Sequence, residues 1–170
     1  KIANSLPEEQ LAFTYEIIAN SGIQALNATD YDEAIVLLGR AHEIWAAKES
    51  AMGPQQGVNV MLPLGTALSR KGRATEAIDI FSSTLEGPGL EVPPSYPDIV
   101  NIYGWFARVL SDEERFAEAI GVAARGVAAA RLAPGDVLAE IVNHMQFGIA
   151  ARELGAHRDA IVALEAGVLL

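Results

Sequence analysis

Apolar residues recur along this chain at helical spacing, and the runs that carry them are bounded by Gly, Pro and short polar turns. That pattern predicts an all-α chain of eight helices in four antiparallel pairs, over about 7–28 and 31–49, 55–71 and 74–86, 97–112 and 115–132, and 137–154 and 157–169. Two starts look alike. Ser5-Leu6-Pro7-Glu8 and Ser95-Tyr96-Pro97-Asp98 each place a capping hydroxyl, then a proline just inside the helix, then an acid in its first turn. Gly53-Pro54, the run Gly87-Pro88-Gly89 with Pro93-Pro94, and Pro134-Gly135-Asp136 separate the pairs. Glu86–Tyr96 reads as the longest irregular piece and the expected site of proteolysis. Pro63 falls inside the third helix, where a missing N–H predicts a local bend.

The pattern also repeats. YDEAI, ATEAI, FAEAI and HRDAI stand at 31–35, 74–78, 116–120 and 157–161. Their alanines, Ala34, Ala77, Ala119 and Ala160, lie 43, 42 and 41 residues apart. Twelve residues before each alanine stands a small residue: Gly22, Gly65, Ala107 or Gly148. Four residues after it stands an apolar one: Leu38, Phe81, Ala123 or Leu164. A fixed period of this length is the mark of stacked helical units. The small residue sits on the first helix of a pair and the alanine on the second, so the two backbones can approach where they cross. Glu33, Glu76, Glu118 and Asp159 fall in the first turn of each second helix, facing its positive dipole end. Ile35, Ile78, Ile120 and Ile161 are expected to fill the interior of each pair.

These positions resemble the tetratricopeptide repeat. Gly22, Tyr31, Ala34 and Leu38 match its small, aromatic, alanine and apolar positions. So do Gly65, Gly72, Ala77 and Phe81; Ala107, Phe116 and Ala119; and Gly148, Gly155, Ala160 and Leu164. The period of about 42 residues exceeds the family's usual 34 and is similar to the kinesin light chain type. The resemblance implies an α–α superhelix, one array across residues 1–170, with repeats over about 7–49, 55–86, 97–132 and 137–169. Both ends look cut, so the chain is read as a piece of a longer protein.

Composition narrows the chemistry. The formal net charge is −10, which repels phosphate backbones and argues against nucleic acid as a partner. No cysteine is present, so disulfides and thiolate chemistry are excluded; this fits a reducing, cytoplasmic setting. No window is long and apolar enough for a membrane span. His42, His144 and His157 show no metal-ligand spacing, and there is no phosphate loop or nucleophile motif. The expectation is a non-enzymatic chain without cofactor or metal. His157 is read as packing or capping its helix.

What remains is binding. The resemblance implies that the first helices of the pairs line a concave groove for a protein or peptide. By position, the candidates are Asn20, Asn59, Arg70, Asn101, Trp105, Arg108, Met145, Gln146 and Arg152. Amides can pair with an extended backbone, and arginines can grip a carboxylate or phosphate. Trp105 and Met145 are read as an apolar anchor, with packing of Trp105 against a neighbouring pair as the alternative. Lysine is absent from the inward positions, which disfavours the family's two-carboxylate clamp for chaperone tails. Two other functions stay open. One is a regulatory or sensory module contacting a protease, kinase or transcription regulator in the same chain. The other is a homodimer through the last helix, whose Gly167-Val168-Leu169-Leu170 end is apolar.

Overall fold

In the computed structural model the described residues are 8–94, 96–132 and 137–169, the side chains of residues 8, 9 and 50 set aside. They form α1 (Glu8–Asn27), α2 (Tyr31–Ala47), a short α3 (Glu49–Met52), α4 (Pro54–Arg70), α5 (Ala74–Glu86), α6 (Pro97–Asp112), α7 (Phe116–Ala130), α8 (Val137–Glu153) and α9 (His157–Val168). The eight expected helices are therefore present. Two elements were not expected. One is α3. The other is a 3-10 turn, Pro88–Leu90, which buries Pro88 and rests on α4 and α5, so the segment from 86 to 94 is less irregular than its prolines imply. Ser5-Leu6-Pro7 and Ser95 lie outside the described residues; Pro97 and Asp98 do open α6.

The chain forms two compact units, divided between Glu91 and Val92. In the first, α1 pairs with α2 and α4 with α5, and α4 packs on α2. In the second, α6 pairs with α7 and α8 with α9, and α8 packs on both α6 and α7. Ala34, Leu38, Val58, Val60, Ala77 and Phe81 are sealed in the first core; Val100, Ile102, Ala107, Ala119, Ala123 and Ala150 in the second.

The repeated small residue has a direct physical reason. A Cβ on Gly22 would stand 2.7 Å from Leu38 Cγ, one on Gly65 2.5 Å from the Phe81 ring, and one on Gly148 2.6 Å from Leu164 Cγ. In the third pair the large residue shrinks to Ala123, and there Ala107 replaces glycine, both fully buried. Two landmarks twelve and four residues from the alanine are thus the two sides of one contact. The isoleucines differ from expectation. Ile35, Ile78 and Ile120 are only half-buried, and Ile161 is 56% exposed. They sit one position round from the buried alanine, at the edge of the pair and not in its interior.

Each pair turns in the same way. Thr29, Gly72, Glu114 and Gly155 all adopt positive φ, at 63°, 79°, 59° and 76°. In each turn the next residue's N–H bonds back five residues, as Asp30 to Ala25, Arg73 to Leu68, Arg115 to Leu110 and Ala156 to Ala151. This left-handed cap closes the open carbonyls of the preceding helix. Glycine suits it; threonine and glutamate pay a steric cost of about 1–2 kcal/mol. Thr29→Gly is therefore expected to raise stability by about 0.5–1 kcal/mol, after allowance for the greater freedom of glycine in the unfolded chain. Gly155→Ala should lower it by a similar amount, although nothing lies within 4 Å of the added Cβ. Urea midpoints decide; a fall for Thr29→Gly refutes the account.

The acidic residue of the repeat does more than face a dipole. Asp30 caps α2 by accepting the Glu33 N–H at 3.1 Å. At the corresponding turns Arg73 and Arg115 fork onto Glu76 (both bonds 2.6 Å) and Glu118 (2.7 and 2.8 Å). These hydrogen bonds hold both carboxyls below the ordinary glutamate value. Lys71 reaches back from the α4–α5 turn to Asp32 at 2.6 Å, tying the first two pairs together. These are exposed ion pairs, so they set geometry more than stability. His157, expected to pack or cap, is exposed at the start of α9, where Ala156 holds the N-cap position. Pro63 is accommodated within a continuous α4, where Thr66 Oγ donates to the Leu62 carbonyl at 2.9 Å.

Candidate functional site

A cleft of about 400 Å³ opens between α1 and α4, with α3 at one end. Tyr15, Ala19 and Ile23 supply apolar floor; Glu16, Asn20, Gln56 and Asn59 supply polar walls; Ala51 and Met52 close the α3 end. Both long helices are the first members of their pairs, which is where the groove was expected. The cleft brings Asn20 and Asn59 together, both exposed. Arg70 is exposed at the far end of α4 and does not line it.

The cleft is held open by defined contacts. Tyr15 is 5% exposed, and its hydroxyl donates to the Gln56 carbonyl at 2.5 Å, joining α1 to α4. Trp45 of α2 is 4% exposed and donates its indole N–H to the Gly53 carbonyl at 2.8 Å. Gly53, at φ 79°, turns the chain from α3 into α4. The His42 ring lies 5.8 Å from that of Trp45, and burial pushes its pKa below the ordinary histidine value. The described lining of the cleft therefore combines side-chain amides and the Glu16 carboxylate with an apolar floor.

Tyr15, Gln56, Ala51 and Met52 escaped sequence reasoning. Tyr15 and Gln56 sit off the positions transferred by resemblance. Ala51 and Met52 lie on α3, which at one turn is too short to carry a periodic signal.

The other candidates lie on α6 and α8 of the second unit. Asn101, Trp105 and Arg108 follow one face of α6 at helical spacing. Trp105 is half-buried, and the Arg108 guanidinium stands over its ring at 5.4 Å. The same guanidinium reaches Asp112 at 3.8 Å. On α8, Met145 is 41% exposed, while Gln146, expected to line the groove, is buried at 7%. Arg152 is exposed and bonded to its neighbour Glu153.

His144 is buried on α8, with Nε2 3.7 Å from Glu140, which also takes Arg131 at 3.3 Å. Of these three only His144 and Glu140 are possible metal ligands, and among the described residues no group of three or more His, Asp or Glu side chains is placed to hold a metal ion. Nor, among the described residues, is any helix long and apolar enough to cross a membrane.

Comparison with known proteins bears on the fold. No protein-family model and no curated protein matches the sequence. Solved structures do match. A structure from Podosopora anserina, named for kinesin light chain and for nearly identical TPR-like repeats, is similar with a TM-score of 0.74 and 17% identity, over 94% of this chain and 74% of that one. A double mutant of MamA RS-1 is similar with a TM-score of 0.65 and 20% identity, over 91% and 74%. BtubC from P. vanneervenii follows with a TM-score of 0.56 and 14% identity, over 89% and 77%. Helix pairs in register, a small-to-large contact repeated in each pair and one shared turn geometry agree with that likeness: the chain is an all-α protein with the fold of the tetratricopeptide-repeat solenoids.

Proposed function

We propose that the chain is a protein-interaction scaffold and that the cleft between α1 and α4 receives an extended peptide. The observation that carries this reading is the cleft itself, where Asn20, Gln56 and Asn59 surround an apolar floor fixed by the Tyr15–Gln56 bond. Amides offer donors and acceptors to a peptide backbone without demanding a sequence. Among the described residues of the lining Glu16 is the one charged side chain, so a neutral or cationic segment is favoured, in keeping with the net charge of −10. On α6, the ring and guanidinium of Trp105 and Arg108 form a second polar–aromatic surface of the kind that anchors partners.

The test begins with selection from a displayed peptide library, followed by calorimetry on the wild type. Asn20→Ala with Asn59→Ala should weaken the selected peptide roughly tenfold to a hundredfold, the loss of two hydrogen-bonding amides, with helicity unchanged. Equal affinity in the double variant would remove the cleft from the binding site.

A second reading, self-association, is favoured by a separate observation. Along α9, Ile161, Leu164 and Val168 are 56%, 41% and 84% exposed, an apolar stripe at helical spacing.

A further inference from the structure

The α9 stripe has a counterpart on α1, and the repeat itself supplies the register between them. On α7, the residues four, seven and eight after the landmark Ala119 are Ala123, Gly126 and Val127, and they are buried or half-buried. Beside them α8 packs: Asn143 lies against Gly126, and Ala139 shares a buried cluster with Ala129 and Ala130. On α2, α4 takes the same place: Gly57 lies under Trp45, and Val60, one turn on, is sealed. Within each unit, the second helix of the first pair is thus roofed by the first helix of the next.

On α9 the same three positions are Leu164, Gly167 and Val168, and Leu164 and Val168 stand open to solvent. On α1 the positions of Ala139 and Asn143 are Phe13 and Ile17. Ala139 and Asn143 are 3% and 0% exposed, and Val60, the α4 equivalent of Ile17, is 0% exposed. Phe13 and Ile17 are 65% and 50% exposed. Among the described residues, α9 thus carries an exposed apolar roof-receiving face and α1 an exposed apolar roof.

We infer that α9 of one molecule is covered by α1 of a second copy, head to tail, through the contact that α7 makes with α8. This rests on the self-association reading and not on the peptide cleft. It changes that reading in one respect. A pairing of α9 with α9 is self-complementary and stops at a dimer. A pairing of α9 with α1 leaves a free face at each end, so association continues through trimers and beyond unless the ring closes.

Sedimentation velocity over a range of concentrations distinguishes these. The wild type should show a ladder of species whose mean size rises with concentration. Ile17→Glu and Val168→Glu sit at half or more exposure, so each should keep wild-type helicity by circular dichroism while weakening association tenfold or more. A charge buried in an apolar contact is the reason. Mixing the two variants is the decisive arm. Ile17→Glu retains an intact α9 and Val168→Glu an intact α1, so the mixture should form a one-to-one dimer and no larger species. Association lost in Val168→Glu but untouched in Ile17→Glu would replace this inference with an α9–α9 dimer and leave self-association standing. A wild type that stays monomeric at millimolar concentration overturns both.

Discussion

Trp45→Ala is expected to destabilise the chain by about 3–5 kcal/mol, the range for truncating a large buried aromatic. The indole fills the junction between α2 and α4, and its N–H bonds the Gly53 carbonyl at 2.8 Å. Its six-membered ring occupies the space that a Cβ on Gly57 would need, at 2.5 Å from Cε2 and Cζ2. The same contact can therefore be broken from the other side. Gly57→Ala should cost about 1–3 kcal/mol in the wild type, because overpacking forces the indole to shift. In the Trp45→Ala background that clash is gone, and alanine becomes the better helix former by about 0.5–1 kcal/mol. The sign of the Gly57 effect should thus reverse. Urea denaturation of the four proteins measures the cycle. If Gly57→Ala costs the same in both backgrounds, the ring is not what excludes a side chain there. The junction also carries α3 and the Met52 end of the cleft, so Trp45→Ala should blunt peptide binding as well.

How much of this was legible follows from what each feature rests on. The helices and their pairing follow from the four alanines and the small residue before each, because close approach tolerates nothing larger. What sequence alone could not show is which side chain fills the space: Leu38, Phe81 and Leu164 each lie over a glycine, while Ala107 and the equally small Ala123 are both fully buried. The shared turn was half visible. Gly72 and Gly155 announce positive φ, whereas Thr29 and Glu114 hide it, since nothing in their chemistry asks for that conformation. Their backbones are held there by the bonds of Asp30 and Arg115 to the preceding helix. The isoleucines were misplaced because a pattern of apolar positions does not distinguish the centre of a helix pair from its rim. The site divides in the same way. Asn20 and Asn59 follow from their place on the first helices, while Tyr15 and Gln56 do not, because a hydroxyl-to-carbonyl bond between α1 and α4 leaves no trace in spacing.

Gly126→Ala is the second large effect, and it tests the second unit. An added Cβ would lie 1.9 Å from Asn143 Oδ1 and 2.7 Å from Tyr103 Cβ. Neither neighbour can step aside easily. Asn143 is wholly buried, and its Nδ2 donates to the carbonyls of Val100 at 3.2 Å and Ala139 at 2.9 Å, which fixes the amide between α6 and α8. The Tyr103 atom is a Cβ, tied to its backbone. A loss of about 3 kcal/mol is expected, at the upper end for overpacking. Asn143 also carries a weakness of its own: among the described residues Oδ1 has no hydrogen-bond partner, a condition that costs about 1–3 kcal/mol. The two carbonyls that Nδ2 serves lie within helices, where backbone N–H groups also serve them. Asn143→Ala therefore gives up two hydrogen bonds and some packing while removing the unpaired oxygen, and its net cost in the wild type should be small, about 1 kcal/mol. In the Gly126→Ala background it should be a gain, since it removes the atom that the new methyl strikes. The double variant is expected to melt above Gly126→Ala and below the wild type. Simple additivity of the two single effects would mean that the methyl at 126 is excluded by the helix backbones themselves, and that Asn143 is a bystander to the close approach of α7 and α8.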